Sequence, residues 1–256
     1  MASPPADRRL LDDAVELARA AGALTLDWFR RADLVVDRKG DGTPVTEADR
    51  GAERLLRAEL ADRYPDDAVV GEEEDDTPGT SGRRWILDPI DGTKAFTHGV
   101  PLYSNLVAVH DEHGPAVGVI NLPALGETVY AGRGLGCFCD DRPTRVSDRT
   151  EPAGSYLTTS GLASWAWDHL RVVQQAGLTV RTWGDGYGYA LVATGRVEVM
   201  VDPVAALWDV AAMPVILSEA GGRFSALDGE PGADRGNGLA TNGHLHATML
   251  DLLGGA

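Results

Sequence analysis

Lysine is nearly missing from this sequence: 256 residues carry 21 arginines but only two lysines, Lys39 and Lys94. Basic charge as a whole is short, with 23 Lys and Arg against 39 Asp and Glu and a formal net charge of −16. Nucleic acid and anionic membrane surfaces repel such a chain unless it gathers a basic patch, so neither is expected as a partner. An anionic small molecule would need local help, such as bound metal ions. Cysteine is down to two, Cys137 and Cys139 in "CFC". That spacing is awkward for a disulfide and the number too small for a zinc site, so both are expected as small residues on a strand near a Gly-rich turn. Long apolar runs are absent as well. The opening "MASPPADRRLLDDAVELARAAG" has no leader-like apolar centre, and no uncharged apolar stretch of about 18 residues follows it, so the expected location is the cytoplasm. No period of roughly 20 to 50 residues and no low-complexity tract is found.

What is present is an ordinary globular composition. With 43% hydrophobic residues, the chain can bury a sizeable core as one large domain or two closely packed halves. Apolar residues at helical spacing over 7–31 predict a long amphipathic helix. "GDGTPV" breaks that pattern and "TEADRGAERLLRAELADRY" resumes it, with Thr46 and Asp49 spaced as a capping box. Beyond Pro65 the texture changes to short β-branched segments, "AVVG", "RWILD", "LYSNLVAVH", "PAVGVINLP" and "ETVYAG", which predict a mainly antiparallel sheet. In the second half, strand-like "YLTTSG", "LTVRTW", "VEVMVD", "GGRFSAL" and "GLATNG" alternate with helical "LASWAWDHLRVVQQAG", "GYALVATG", "LWDVAAMPVILSEAG" and "HLHATMLDLL", an α/β arrangement. The switch falls within residues 145–155, which divides the chain into an N-terminal α+β half, 1–147, and a C-terminal α/β half, 148–256.

Several acidic residues sit at element edges. Asp88 and Asp91 leave the end of the strand "RWILD", Glu72, Glu73 and Glu74 follow "AVVG", and Asp209 opens a hydrophobic helix. Alone, "GEEED" would read as a solvated loop tip and "DPIDGT" as a capped turn. Together, carboxylates at strand ends and helix starts are placed to converge on a hard divalent cation. Pro89 stiffens the turn, Gly92 leaves room for a ligand against the backbone, and the amides of Gly92 and Thr93 at a helix start make an anion pocket.

"GEE" at 71–73, "WILDPIDGTKAF" at 85–96 and "WDVAAMPVILSEAGG" at 208–222 resemble the three signatures of the inositol monophosphatase family of magnesium-dependent, lithium-sensitive phosphatases. "GTPVTEAD" and "LVATGRVEV" extend the resemblance over nearly the whole chain. It implies a layered αβαβα sandwich with the site between the halves, and a homodimer. It also implies two to three Mg²⁺ ions. Glu72, Asp88 and the Ile90 carbonyl would hold one, Asp88, Asp91 and Asp209 a second, and Glu72 with waters a weaker third. A phosphate monoester is a dianion with a poor leaving group, and paired cations neutralise both ends of an in-line displacement. In that scheme Glu72 and Thr93 orient the attacking water, Asp49 supports Thr93, Glu73 assists from farther out, and Glu74 is solvated.

The resemblance implies a small-molecule phosphate ester as substrate, and the residues that select it should lie outside the metal cluster. "DGTK" carries Lys94 where inositol phosphatases usually have a second Thr, and Asp202 stands where they place a glutamate. "TWGDGYGYALVATG" resembles the histidinol-phosphatase branch of the family. An acidic wall of Asp185 and Asp202, with Trp183 or Tyr187 nearby, suits the amine and imidazole of histidinol phosphate. A compact lysine ammonium suits a phosphate-side contact where a planar guanidinium would not fit. The competing readings are an inositol or other polyol phosphate, 3′-phosphoadenosine 5′-phosphate, and a metal-binding regulatory homologue without turnover.

Overall fold

The computed structural model describes residues 3–254. Two helices open it, α1 (Arg8–Trp28) and α2 (Glu47–Arg63), separated by a short hairpin of β1 (Val36–Arg38) and β2 (Pro44–Thr46). The Thr46 capping box is formed: its hydroxyl accepts from the Ala48 amide, and Asp49 takes the Thr46 N–H in return. Next come β3 (Ala68–Gly71), β4 (Arg84–Asp91), the short helix α3 (Thr93–Thr97), β5 (Ser104–Asp111), β6 (Gly114–Leu122), β7 (Glu127–Gly132), β8 (Gly136–Cys139) and β9 (Arg142–Pro143). These strands make a seven-stranded sheet in sequence order, antiparallel throughout except for the β3–β4 pair. Both cysteines are free and lie on β8.

The rest of the chain supplies β10 (Tyr156–Thr158), α4 (Trp167–Gln175), β11 (Thr179–Arg181), α5 (Asp185–Ala193), β12 (Val199–Asp202), α6 (Leu207–Val210), α7 (Met213–Glu219), β13 (Arg223–Ser225), β14 (Gly238–Thr241) and α8 (His246–Gly254). Its sheet is five-stranded and mixed, in the order β11-β10-β12-β14-β13. The single helix expected over 207–221 is two, because Pro214 lacks the amide needed to continue a helix and instead starts α7. The expected helix over 162–177 is confined to α4.

Three apolar clusters fix five layers. Leu11, Leu17, Leu56 and Leu60 of α1 and α2 pack with Trp85, Val107 and Val119 on one face of the large sheet. Its other face contributes Ile86, Leu106 and Ile120 to a cluster shared with Tyr189 and Val192 of α5, Met213 and Ile216 of α7, and Met200 of β12. Leu170 and Val173 of α4 and Met249 and Leu253 of α8 cover the far side of the small sheet with Leu157 and Val201. Because β4 to β7 are buried on both faces for most of their length, they read as largely apolar runs without alternation. No described helix is long and apolar enough to cross a membrane.

The middle layer depends on close approach at Gly118. A Cβ there would lie 2.5 Å from the Ala212 carbonyl oxygen and 3.0 Å from Ile216 and Val215 side-chain atoms. Gly118→Ala is expected to cost about 1–3 kcal/mol in chemical denaturation; an unchanged midpoint would mean that α7 yields freely against the sheet.

Candidate active site

Residues three apart in a regular strand point to opposite faces, yet Asp88 and Asp91 both line one cavity of about 550 Å³. The register of β4 against β5 shifts between them, a bulge at Pro89 and Ile90. Pro89 has no N–H to give to the ladder, so a bulge suits it, and its carbonyl accepts from Asn105 Nδ2 at 2.6 Å. The bulge turns Asp91 back beside Asp88. Asp209, in the first turn of α6, is held by the Ala206 amide at 2.7 Å. Carboxylate oxygens of Asp88, Asp91 and Asp209 all lie within 4.8 Å of one another.

Burial and mutual repulsion act on this group together. Asp88 is pushed well above the usual carboxylate range by burial first, then by the charges of Glu72, Asp91 and Asp209. Asp91 rises for the same primary reason and through Asp185 and Asp209, although Ser104 and the Gly186 amide donate to it. Asp209 is pushed up to about 7 by burial and by Glu72, Asp202 and Asp185, against the pull of the Ala206 amide. Among the described residues, Asp88 Oδ1 is a buried side-chain oxygen that no hydrogen-bond donor reaches. A buried carboxylate oxygen with no donor, facing two more carboxylates, is the donor set a hard cation satisfies.

The remaining candidates surround this centre. Glu72 lines the cavity, as do Ile90, Gly92, Thr93, Lys94, Asp185 and Asp202. Asp49 is fully buried behind Thr93, whose hydroxyl lies 3.4 Å from Asp49 Oδ1 and 3.0 Å from the Ile90 carbonyl oxygen. Burial raises the Asp49 carboxyl, against the donors of Thr46. Gly92 is left-handed, with φ +79°, and launches α3 from Thr93, so the first amides of that turn have no partner within the helix.

The two lysines divide between opposite sides. Lys94 is the basic side chain among the described residues lining the cavity. Lys39 does not take the phosphate-side position expected of it: from the β1–β2 hairpin its Nζ stands 2.6 Å from Glu72 Oε1 and 2.6 Å from Glu73 Oε1. Those partners outweigh the cost of burial and raise the ammonium to about 12. Glu73, outside the cavity lining, is lifted to about 7 by burial despite that contact.

Asp202 has partners that the sequence did not show. It lines the cavity, but Oδ1 accepts from the Ser160 hydroxyl at 2.6 Å and Oδ2 from the Tyr189 hydroxyl at 3.0 Å. Trp183 is outside the cavity, stacked on Tyr156 under Arg181, and Tyr187 packs against the central core. Glu53 escaped the sequence reading: fully buried on α2, it accepts from the Glu73 and Glu74 amides at 2.8 and 3.2 Å and from Arg57 at 2.8 Å, fixing the loop that carries Glu72. Its only signal was an acid at an otherwise apolar helical position.

A five-layer sandwich with a carboxylate cluster and a glycine turn lining one cavity has the parts of a metal-dependent phosphatase. The profile of the inositol monophosphatase family matches residues 7–253, and the chain belongs to that family and is a phosphoric monoester hydrolase. A histidinol-phosphatase of Chlorobaculum parvum is 46% identical over 90% of this chain and 93% of its own length. One from Mycobacterium tuberculosis is 42% identical over 94% and 96%. The solved Thermotoga maritima IMPase superposes with a TM-score of 0.88 at 30% identity, over 96% of this chain and 97% of that one.

The raised carboxylates set a pH dependence. A carboxyl with a folded value above its unfolded one binds extra protons in the native state, so its stabilisation is present at low pH and lost as pH rises through the folded value. For Asp209 that window runs from about 4 to 7. Metal-free protein should therefore lose a few degrees of melting temperature between pH 5 and 8, less in Asp209→Asn, and added divalent cation should restore it; an identical slope in the variant would show that Asp209 carries no such strain.

Proposed function

We propose that this enzyme hydrolyses histidinol phosphate to histidinol and inorganic phosphate. The observation that carries the reading is that relatives named histidinol-phosphatase match at 46% and 42% identity, against 33% for the Thermotoga maritima fructose-1,6-bisphosphatase/inositol-1-monophosphatase, each over nine-tenths or more of the chain. A cavity wall that includes Asp185 and lacks arginine supports it, because histidinol phosphate brings a cationic amine beside its phosphate.

Mg²⁺, two to three per subunit, fits the donor set: Glu72, Asp88, Asp91 and Asp209 with the Ile90 carbonyl would hold it, around the unpartnered Asp88 oxygen. When bound, it would supply neutralising charge and a more acidic attacking water. Thr93 Oγ1 would accept a hydrogen bond from that water while passing its own proton toward Asp49 Oδ1, 3.4 Å away. The amides of Gly92 and Thr93 would cradle the phosphate, Lys94 would balance its outward charge, and Glu72 would orient the water. The site would lie between halves 1–147 and 148–256 of a cytoplasmic homodimer.

Phosphate release with Mg²⁺ should favour histidinol phosphate over inositol 1-phosphate, fructose 1,6-bisphosphate and 3′-phosphoadenosine 5′-phosphate; preference for inositol 1-phosphate would overturn the assignment. Asp88→Asn is expected to lower kcat by at least about a thousandfold, while the metal-free variant melts no lower than wild type because a buried repulsive charge is gone. Unfolding of that variant would make Asp88 a structural residue.

A further inference from the structure

Asp185 is the non-glycine residue between Gly184 and Gly186, and its backbone is left-handed, with φ +55°. Side chains other than glycine adopt that region at a cost, so a chain that needed only the turn would have a third glycine there. What the side chain gains is its position. Its Oδ2 stands where it would lie 3.0 Å from a Cβ placed on Gly92, at the turn proposed to receive the phosphate.

The conformation is held from both ends. Ser160 Oγ accepts the Asp185 N–H at 2.8 Å and gives its own proton to Asp202 Oδ1 at 2.6 Å, while the Ser160 amide donates to the same oxygen at 3.2 Å. The other oxygen of Asp202 accepts from Tyr189, one turn along α5, so the network closes on the helix that Asp185 begins. On the far side, the Gly186 amide donates to Asp91. A Cβ at Gly186 would fall 2.2 Å from Ser104 Oγ, so the turn packs directly against β5.

We infer that Ser160, oriented by Asp202, is a positioning residue that fixes Asp185 so that its carboxylate selects a phosphate ester bearing a cationic amine over a neutral polyol ester. Asp202 acts on Asp185 through Ser160, because its Oδ1 is the oxygen that orients the Ser160 hydroxyl. The inference rests on the cationic-substrate reading made above.

The test compares kcat/KM for histidinol phosphate and for glycerol 2-phosphate, using the full chain with Mg²⁺. Wild type should favour the cationic ester, and Asp185→Asn should lower that ratio about tenfold or more. Ser160→Ala should lower it by a similar factor, through KM for histidinol phosphate more than through kcat, and Ser160→Thr, which keeps the hydroxyl, should recover it. Because Ser160 acts through Asp185, the double variant should lose no more discrimination than Asp185→Asn alone. A wild-type preference that Ser160→Ala retains, or fully additive losses in the double variant, would overturn the inference and leave the substrate assignment standing. No preference in wild type would overturn both.

Discussion

Everything at the centre of this molecule follows from forcing carboxylates together on a cavity wall where burial leaves little water to separate them. Asp88, Asp91 and Asp209 have oxygens within 4.8 Å of one another, and one oxygen of Asp88 has no hydrogen-bond partner. Left as anions they repel, and burial removes the solvent that would screen them. Protonation relieves this at low pH and cations relieve it near neutrality. The site thus stores in its own packing the affinity that a metal-dependent hydrolase needs.

The layers exist to hold that arrangement. Asp88 and Asp91 come from one strand that is buried on both faces and pinned by neighbours, and the bulge at Pro89 brings them to one side. Asp209 arrives from α6, which belongs to the layer between the sheets. Glu72 is carried by a loop whose amides are clamped by buried Glu53 and Arg57. A rigid frame is required because charges that can move apart will do so. The substrate-facing side is built differently, from the short turns around Gly92 and Asp185, where glycines allow one backbone to pass close to another.

Much of this was legible in the residues. The strand ending in "LDPID", the capping box at Thr46 and the acid opening α6 each have a local cause that sequence shows directly, and so the carboxylates could be gathered before any coordinates. The layered fold followed from the two textures of the chain and from the family resemblance. What was not legible has a common reason: it depends on partners far apart in sequence. Lys39 looked like a phosphate ligand because nothing local shows the hairpin laying it on Glu72 and Glu73, 33 residues away in the first case. The engagement of Asp202 by Ser160 was hidden because the two residues lie 42 positions apart. Trp183 or Tyr187 was expected near the acidic wall, but Trp183 stacks on Tyr156 and Tyr187 packs into the core. Pro214 did carry a local signal, and it divides the helix that apolar periodicity alone would have continued.

The proposal made above is that Asp88, Asp91 and Asp209, with Glu72, would hold paired cations. Electron paramagnetic resonance on protein titrated with Mn²⁺ in place of Mg²⁺ tests it most directly. The account predicts at least two ions bound per chain with a spin-coupled signal, reduced to an uncoupled signal in Asp88→Asn. A single uncoupled ion in the wild type, unchanged by that substitution, would contradict it.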